Sequence, residues 1–310
     1  MKVAASGGYA IHHMIEPVME NPLVPAPETT TAIATVSFNS SPVLKSFLLS
    51  VKDASSSETP VVVADNAALD QKVAAICASA GADYLALDRN YGYGGAMNRA
   101  VRIIPANFEW ILICNPDVVL HRGAIDRLVS AGQADSRVGC VGPAILTDGA
   151  VYPSARSIPS IRTGVGHALF ANIWLGNPWT KAYRHDSSPT PVRRDTGWLS
   201  GACLLVRRSA FDELGGFDDE YFMYFEDVDF GYRLGKAGYR NVYEPHAVVT
   251  HSGAHSTDQD ASHMIQIHHE SARRFVTRKY AAWYLWPVRV ALGIGLDLRS
   301  ALLKRRATHH

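Results

Sequence analysis

The chain has 310 residues, 47% of them apolar and 19% charged, a globular balance sufficient for one large α/β domain or two small ones. Thirty Lys and Arg stand against 29 Asp and Glu, so total charge gives nucleic-acid binding no support. Cys77, Cys114, Cys140 and Cys203 lie far apart in apolar surroundings without a CxxC pair; they read as reduced core cysteines rather than a disulfide framework or zinc site, which favours the cytosolic side of a membrane.

Residues 1–30 contain Pro17, Pro22, Pro25 and Pro27 and no apolar run of signal-peptide length, so a flexible N-terminal arm is expected. From Thr31 a β-branched apolar run ends in polar residues at Ser37, which is the pattern of a buried strand and loop. Helical spacing over 42–51 leads to a second strand at 60–64, again ending in polar residues, Asp65-Asn66. A helix over 69–80 and a strand over 84–87 follow, the latter ending in Asp88-Arg89-Asn90. This β-α-β-α-β alternation predicts a mainly parallel sheet with helices on both faces. Ligands of such sheets gather at the carboxyl ends of the strands, where these polar residues fall.

Residues 90–98, Asn-Tyr-Gly-Tyr-Gly-Gly-Ala-Met-Asn, open the next helix. Gly94 and its neighbours permit close backbone approach to a phosphate or sugar, or simply make a turn. The spacing is neither a P-loop nor GxGxxG. A fourth strand over 110–114 ends in Asn115-Pro116-Asp117, which suits either a hard divalent cation or a turn. After a helix over 123–131 and a strand over 138–145, residues 151–184 are rich in Pro, Gly, aromatics and Arg, and are expected to be a substrate-covering insertion.

Gly197-Trp198-Leu199-Ser200 precedes another buried strand; the indole serves as a sugar platform or as core. In 222–230, Phe-Met-Tyr-Phe-Glu-Asp-Val-Asp-Phe, Glu226 and Asp229 share a helical face while Asp227 points elsewhere. The acids are either a reactive cluster or a helix N-terminal cap. A helix over 231–238 and short strands at 242–243 and 247–250 deliver His251 and, four residues on, His255. From Ser271 to Arg306 there are nine Lys or Arg and one acid, Asp297, with Tyr280, Trp283, Tyr284 and Trp286 interspersed. That composition is poor for spanning a bilayer and fits a helix on an anionic membrane surface, or a terminal helix packed on the domain.

The order of these motifs, from the first strand through Asp65-Asn66, Arg89-Asn90, Asn115-Pro116-Asp117, Gly-Trp-Leu-Ser-Gly-Ala and Glu-Asp-Val-Asp to His251, resembles the inverting family 2 glycosyltransferases of the GT-A fold over residues 31–256. Within that family the stretches 151–156, 177–184, 197–211 and 216–238 resemble actinobacterial rhamnosyltransferases that build the linker between peptidoglycan and arabinogalactan. The resemblance implies a GT-A domain over 31–262, a mixed, mainly parallel sheet, and a basic aromatic helical extension over 263–310. It implies a dTDP-L-rhamnose donor, a polyprenyl-diphospho-GlcNAc acceptor, and work at the cytoplasmic face of the plasma membrane as a peripheral protein. Carried over by residue, Ser37, Asp65, Asn66, Arg89, Asn90, Gly94, Asn98 and Asn115 contact the nucleotide sugar. Asp117 and His251 hold Mg2+ or Mn2+, with Asn115 replacing the first acid of the family's DXD motif. Asp227 is the catalytic base, Glu226 and Asp229 orient it or the acceptor, and Trp198 and Ser200 line the acceptor site. A UDP-sugar donor and a non-catalytic glycan-binding module are the alternatives. A Rossmann dehydrogenase is excluded by Ser-Phe-Asn-Ser at 37–40, where its glycine fingerprint belongs. Oligomeric state, a homo-oligomer included, stays open.

Overall fold

The structure, a computed structural model, describes residues 30–68, 71–160, 192–253 and 261–295. Most of the N-terminal arm, the 177–184 stretch, His255 and the chain beyond 295 lie outside these residues.

Four parallel strands, β1 (Thr31–Ser37), β2 (Val61–Asp65), β3 (Asp83–Ala86) and β4 (Trp110–Cys114), are linked through α1 (Ser41–Ala54), α2 (Gln71–Ala80) and α3 (Gly92–Ile103). Then come β5 (Val118–Leu120), α4 (Ala124–Gln133), β6 (Val138–Thr147), β7 (Ala150–Tyr152), β8 (Ala155–Arg156), β9 (Arg194–Thr196), β10 (Trp198–Leu199) and β11 (Cys203–Arg207). The chain closes with α5 (Arg208–Glu213), α6 (Glu226–Lys236), β12 (Arg240–His251), α7 (Ala261–Lys279), a 3-10 turn (Trp283–Leu285) and helical residues 286–295. The main sheet runs β3-β2-β1-β4-β11-β6-β12-β5, with β7 on β6 and β9 on β12. β11 is antiparallel to β4 and β6, while β12 is parallel to β6 and antiparallel to β5.

Strand alternation sorts the core onto two faces. Ile33, Val63, Leu112 and Leu205 pack with residues of α1, α2 and α4. Ala32, Val62, Ile111 and Ile113 pack with α3, α5 and α6. Burying side chains such as Phe47 or Trp110 contributes roughly 2–3 kcal/mol each. Trp110 needs Gly132 of α4, where a Cβ would lie 2.5 Å from the indole. All four cysteines are buried and free, as expected of core residues.

The elements depart from expectation in three places. β5 was not anticipated, because its three residues follow Pro116-Asp117 and carry no periodic signal. The expected strands at 242–243 and 247–250 are one strand, β12, with a register shift between Glu244 and Val248 that accommodates Pro245. The helix expected over 231–238 starts at Glu226, so the acids form its first turn.

The expected domain boundary at residue 262 falls inside α7. Phe275 of this helix is buried with Tyr221 and Val228, and Ile267 and Ala272 are buried too. Among the described residues of the C-terminal segment, α7 is packed on the domain and the exposed aromatics Trp283, Tyr284 and Trp286 follow it. The physical reason is the apolar face of α7, which finds a partner in the loop before α6.

Candidate active site

Strand order turns at β1, which pairs with β2 on one side and β4 on the other, and a crevice at the strands' carboxyl ends is the usual ligand position. Ser37 and Asp65 are register partners there and both are buried. Ser37 Oγ has no hydrogen-bond partner. Tyr84 donates its hydroxyl to Asp65 at 3.0 Å; burial first, then this bond, pushes the phenol up to about 12, so it remains a donor.

The asparagines are occupied by the protein itself. Asn66 donates to Asn90 Oδ1 (2.8 Å) and the Gly92 carbonyl (3.1 Å) and accepts from Tyr91 N–H (2.8 Å). Asn90 accepts from Gly92 N–H as well. Asn98 donates to the Phe217 carbonyl and Asp219 and accepts from Phe217 N–H. Little donor or acceptor capacity is left on Asn66 or Asn98; both pin the loop and helix start that frame the crevice. Arg89 lies over the Tyr91 ring at 4.7 Å.

The glycines of this segment face protein rather than an open phosphate cradle. At Gly92 φ is +72°, and a Cβ would come within 2.0 Å of the Phe222 carbonyl oxygen. That oxygen accepts from Tyr93 N–H at 2.9 Å. At Gly94 a Cβ would meet Phe217 at 3.0 Å. The absent side chains let α3 seat directly against the loop leading to the acidic cluster.

The second cluster joins β4 and β12. β5 sets His251 opposite Val118, placing its Nε2 3.2 Å from Asp117 Oδ1 and 3.3 Å from Asn115 Nδ2. A carboxylate oxygen and an imidazole nitrogen 3.2 Å apart, both partly exposed, are donors of the kind that Mg2+ or Mn2+ accepts. No group of three His, Cys, Asp or Glu occurs among the described residues, so such an ion would need substrate oxygens or water to complete its shell.

The third cluster is the acidic turn. Tyr224 and Phe225 both have φ +65°, an uncommon conformation for aromatic residues and one that is kept where surrounding structure enforces it. Here α7 enforces it. Ser271 Oγ donates to the Met223 carbonyl (2.8 Å), the His268 ring stands edge-on to both Tyr224 and Phe225, and Phe275 packs on Phe225.

The turn points the three carboxylates in different directions. Asp227 is partly exposed; its Oδ2 accepts from Gly201 N–H at 2.9 Å and its Oδ1 from Val228 N–H at 2.8 Å. Burial raises its carboxyl above the usual range, opposed by those two hydrogen bonds and by the charge of Arg156. A raised carboxyl at a cleft is suited to general base work near neutral pH. Glu226 is 7% exposed with Oε2 unpartnered; burial, and then Asp227's charge, push it up to about 8, so it is a neutral acid at pH 7. Asp229, 0% exposed, is held by Arg233 (2.6 Å) and by Arg278 of α7 (2.9 Å). It anchors the helix pair, and its two guanidinium partners leave it no free approach to a substrate.

Trp198 and Ser200 flank this turn. The Trp198 backbone and Cβ press on Gly231 of α6, and its Nε1 donates to the Ser157 carbonyl at 3.2 Å. Ser200 Oγ accepts from Ala202 N–H at 3.3 Å. Three further residues complete the site. Gly201 supplies the N–H to Asp227, Tyr93 donates its hydroxyl to the Gly201 carbonyl at 2.5 Å, and Arg156 lies 5.6 Å from the Trp198 ring. Tyr93, Gly201 and Arg156 all fall inside motif stretches, at 90–98, 197–202 and 151–156, where nothing local assigns them a role.

A mixed sheet with a buried acid at a strand end, an Asp–His pair at the crevice and a carboxylate on a strained helix start defines a GT-A glycosyltransferase. The chain belongs to glycosyltransferase family 2: the sequence model of "Glycosyltransferase like family 2" matches residues 27–266. It is 42% identical over 284 residues to the N-acetylglucosaminyl-diphospho-decaprenol L-rhamnosyltransferase of Mycobacterium tuberculosis H37Rv, covering 88% of this chain and 92% of that one. With the rhamnosyltransferase WbbL of Escherichia coli K12 it shares 29% identity over 64% of this chain and 75% of that protein. A Pyrobaculum calidifontis mannosyltransferase solved with GDP-Man and Mn2+ has the same fold, with a TM-score of 0.55, 16% identity and coverage of 90% and 73%.

Proposed function

We propose that this glycosyltransferase moves L-rhamnose from dTDP-L-rhamnose to N-acetylglucosaminyl-diphospho-polyprenol, with inversion, in synthesis of the arabinogalactan linker. Identity of 42% along nearly the whole M. tuberculosis enzyme supports the rhamnosyl group and the acceptor. The carrying observation for the chemistry is the single partly exposed carboxylate of the acidic turn, Asp227, fixed by two backbone N–H groups. Asp227 takes the proton of the acceptor hydroxyl as that oxygen bonds to the anomeric carbon. The bond from that carbon to the diphosphate oxygen breaks on the opposite face, and dTDP leaves with the electron pair. One displacement inverts the anomeric centre and needs no carboxylate nucleophile.

Ser37 and Asp65, at the ends of β1 and β2, are placed to receive the nucleoside; Asn66, Asn90 and Asn98 act by fixing the walls. Asp117 and His251 would hold Mg2+ or Mn2+, which would supply Lewis-acid stabilisation of charge on the departing diphosphate. Trp198, Ser200 and Arg156 border the acceptor side.

The protein works as a peripheral protein at the cytoplasmic membrane face. Among the described residues no helix is long and apolar enough to cross a bilayer, while Trp283 (81%), Tyr284 (64%) and Trp286 (58%) are exposed together, as in interfacial anchors.

Incubation with dTDP-rhamnose and a short polyprenyl-diphospho-GlcNAc, followed by mass detection, tests the assignment. The expected product gains one deoxyhexose, and Asp227→Asn lowers kcat by roughly 10²–10⁴ with dTDP binding retained. Stabilisation by UDP but not dTDP, without deoxyhexose transfer, would transfer the case to a UDP-sugar enzyme.

A further inference from the structure

An open groove of about 780 Å³ runs along α7, walled by the loop at Glu220 and Phe222 and closed by Ala281 and Arg289. Its α7 side repeats Ile267, Ser271, Arg274 and Arg278, one helical face. Four guanidiniums, Arg273, Arg274, Arg278 and Arg289, line it against two carboxylates, Glu220 and Glu270.

Arg274 pairs with Glu220, and Arg278 with Asp229 and Asp218. Arg289 gives Nη1 to the Ala281 carbonyl at 3.0 Å, and no carboxylate pairs with it among the described residues. Arg289 lines the groove three residues beyond the exposed Trp286. Phe222, whose carbonyl accepts from Tyr93 N–H, also lines it, and Arg278 reaches Asp229 in the first turn of α6, the turn that carries Asp227. The groove is therefore lined both by the segment bearing the exposed aromatics and by the loop that leads into the helix of the base, and it offers the Arg289 cation beside apolar walls, Phe222 and Ile267. An anionic head on an apolar chain matches that combination.

We propose that this groove receives the diphosphate of the lipid-linked acceptor, with Arg289 as a direct ligand, so that the attached sugar extends toward Asp227. This rests on transfer to a polyprenyl-diphospho sugar. Arg289, with which no carboxylate pairs among the described residues, supplies the charge for the phosphate, and charge-assisted pairs with phosphate are the strong ones.

The probe is a fluorescent farnesyl diphosphate, titrated by anisotropy without donor or sugar. Wild-type protein is expected to bind it more tightly than the monophosphate, with inorganic pyrophosphate competing. Arg289→Gln is expected to weaken binding about tenfold, the loss of one charge-assisted contact, and Arg289→Lys to recover part of it. The urea midpoint of each variant reports folding. Sedimentation with phosphatidylglycerol vesicles is measured in parallel. Undiminished farnesyl diphosphate affinity in Arg289→Gln overturns the proposal, and a simultaneous loss of vesicle binding would assign the groove to membrane headgroups instead. Because neither sugar nor donor is present, failure of rhamnosyl transfer and failure of this groove are read separately.

Discussion

Gly92→Ala tests how the donor half and acceptor half of the site are joined. Gly92 has φ +72°, and its missing side chain is filled by the Phe222 carbonyl, 2.0 Å from where a Cβ would stand. Holding Ala in that conformation costs about 1–2 kcal/mol. The oxygen must also retreat, losing its bond from Tyr93 N–H, about 1 kcal/mol, and straining the packed loop by about 1–3 kcal/mol. A destabilisation of about 4 kcal/mol is the central expectation from those contributions. Gly81→Ala is the internal control: φ is +73° but nothing lies within 4 Å of its Cβ, so about 1–2 kcal/mol is expected. Urea denaturation with free slopes measures both. Displacement of Phe222 also shifts the turn bearing Asp227, and a misplacement of about 1 Å is expected to lower kcat about 10²-fold. Equal stability losses in the two variants would refute the claim that the Phe222 carbonyl, rather than backbone conformation alone, demands glycine at 92.

The remaining predictions concern the acidic turn and the C-terminal residues. Glu226 is neutral in the folded protein up to about pH 8, whereas in the unfolded chain a glutamate ionises near ~4.3; its contribution to stability is full below that lower value and is lost as pH rises through the window to about 8. Glu226→Gln is therefore expected to flatten the decline of unfolding free energy between pH 5 and pH 8, about the window just defined, and parallel curves for the two proteins would contradict it. Arg278→Ala removes one of two guanidiniums from fully buried Asp229 and unfastens α7 from α6; a loss of about 2 kcal/mol is expected, with kcat falling more than donor KM, and Arg278→Lys recovering part of both. The double variant Trp283→Ala with Trp286→Ala is expected to lose sedimentation with anionic vesicles while retaining the wild-type urea midpoint, since both rings are exposed; retained sedimentation would remove the anchor role.

Much of the fold was legible because β1 to β4 are short apolar runs ended by polar residues, and because α1 keeps one apolar face. The same local chemistry made Asp65, Asp117, Asp227 and His251 visible as strand-end or helix-start residues. What each neighbour does was not legible. Asn66 and Asn98 looked like ligand donors and are spent on Gly92, Tyr91 and Phe217. Asp229 reads in the sequence as an acid that orients the base or the acceptor, and it is buried between Arg233 and Arg278, where it holds the helix start rather than an acceptor.

By itself the sequence determined the alternating sheet, the order of the motifs and the helical phase that separates Asp227 from Glu226 and Asp229, because periodicity and strand-end polarity are local properties. Only the tertiary structure decided which acid stays partly exposed, that β5 brings His251 to Asp117, that Phe222 occupies the space left by Gly92, and that Phe275 of α7 packs against Tyr221 and Val228. Those facts depend on pairing and packing between residues distant in the chain, for which no local pattern carries a signal.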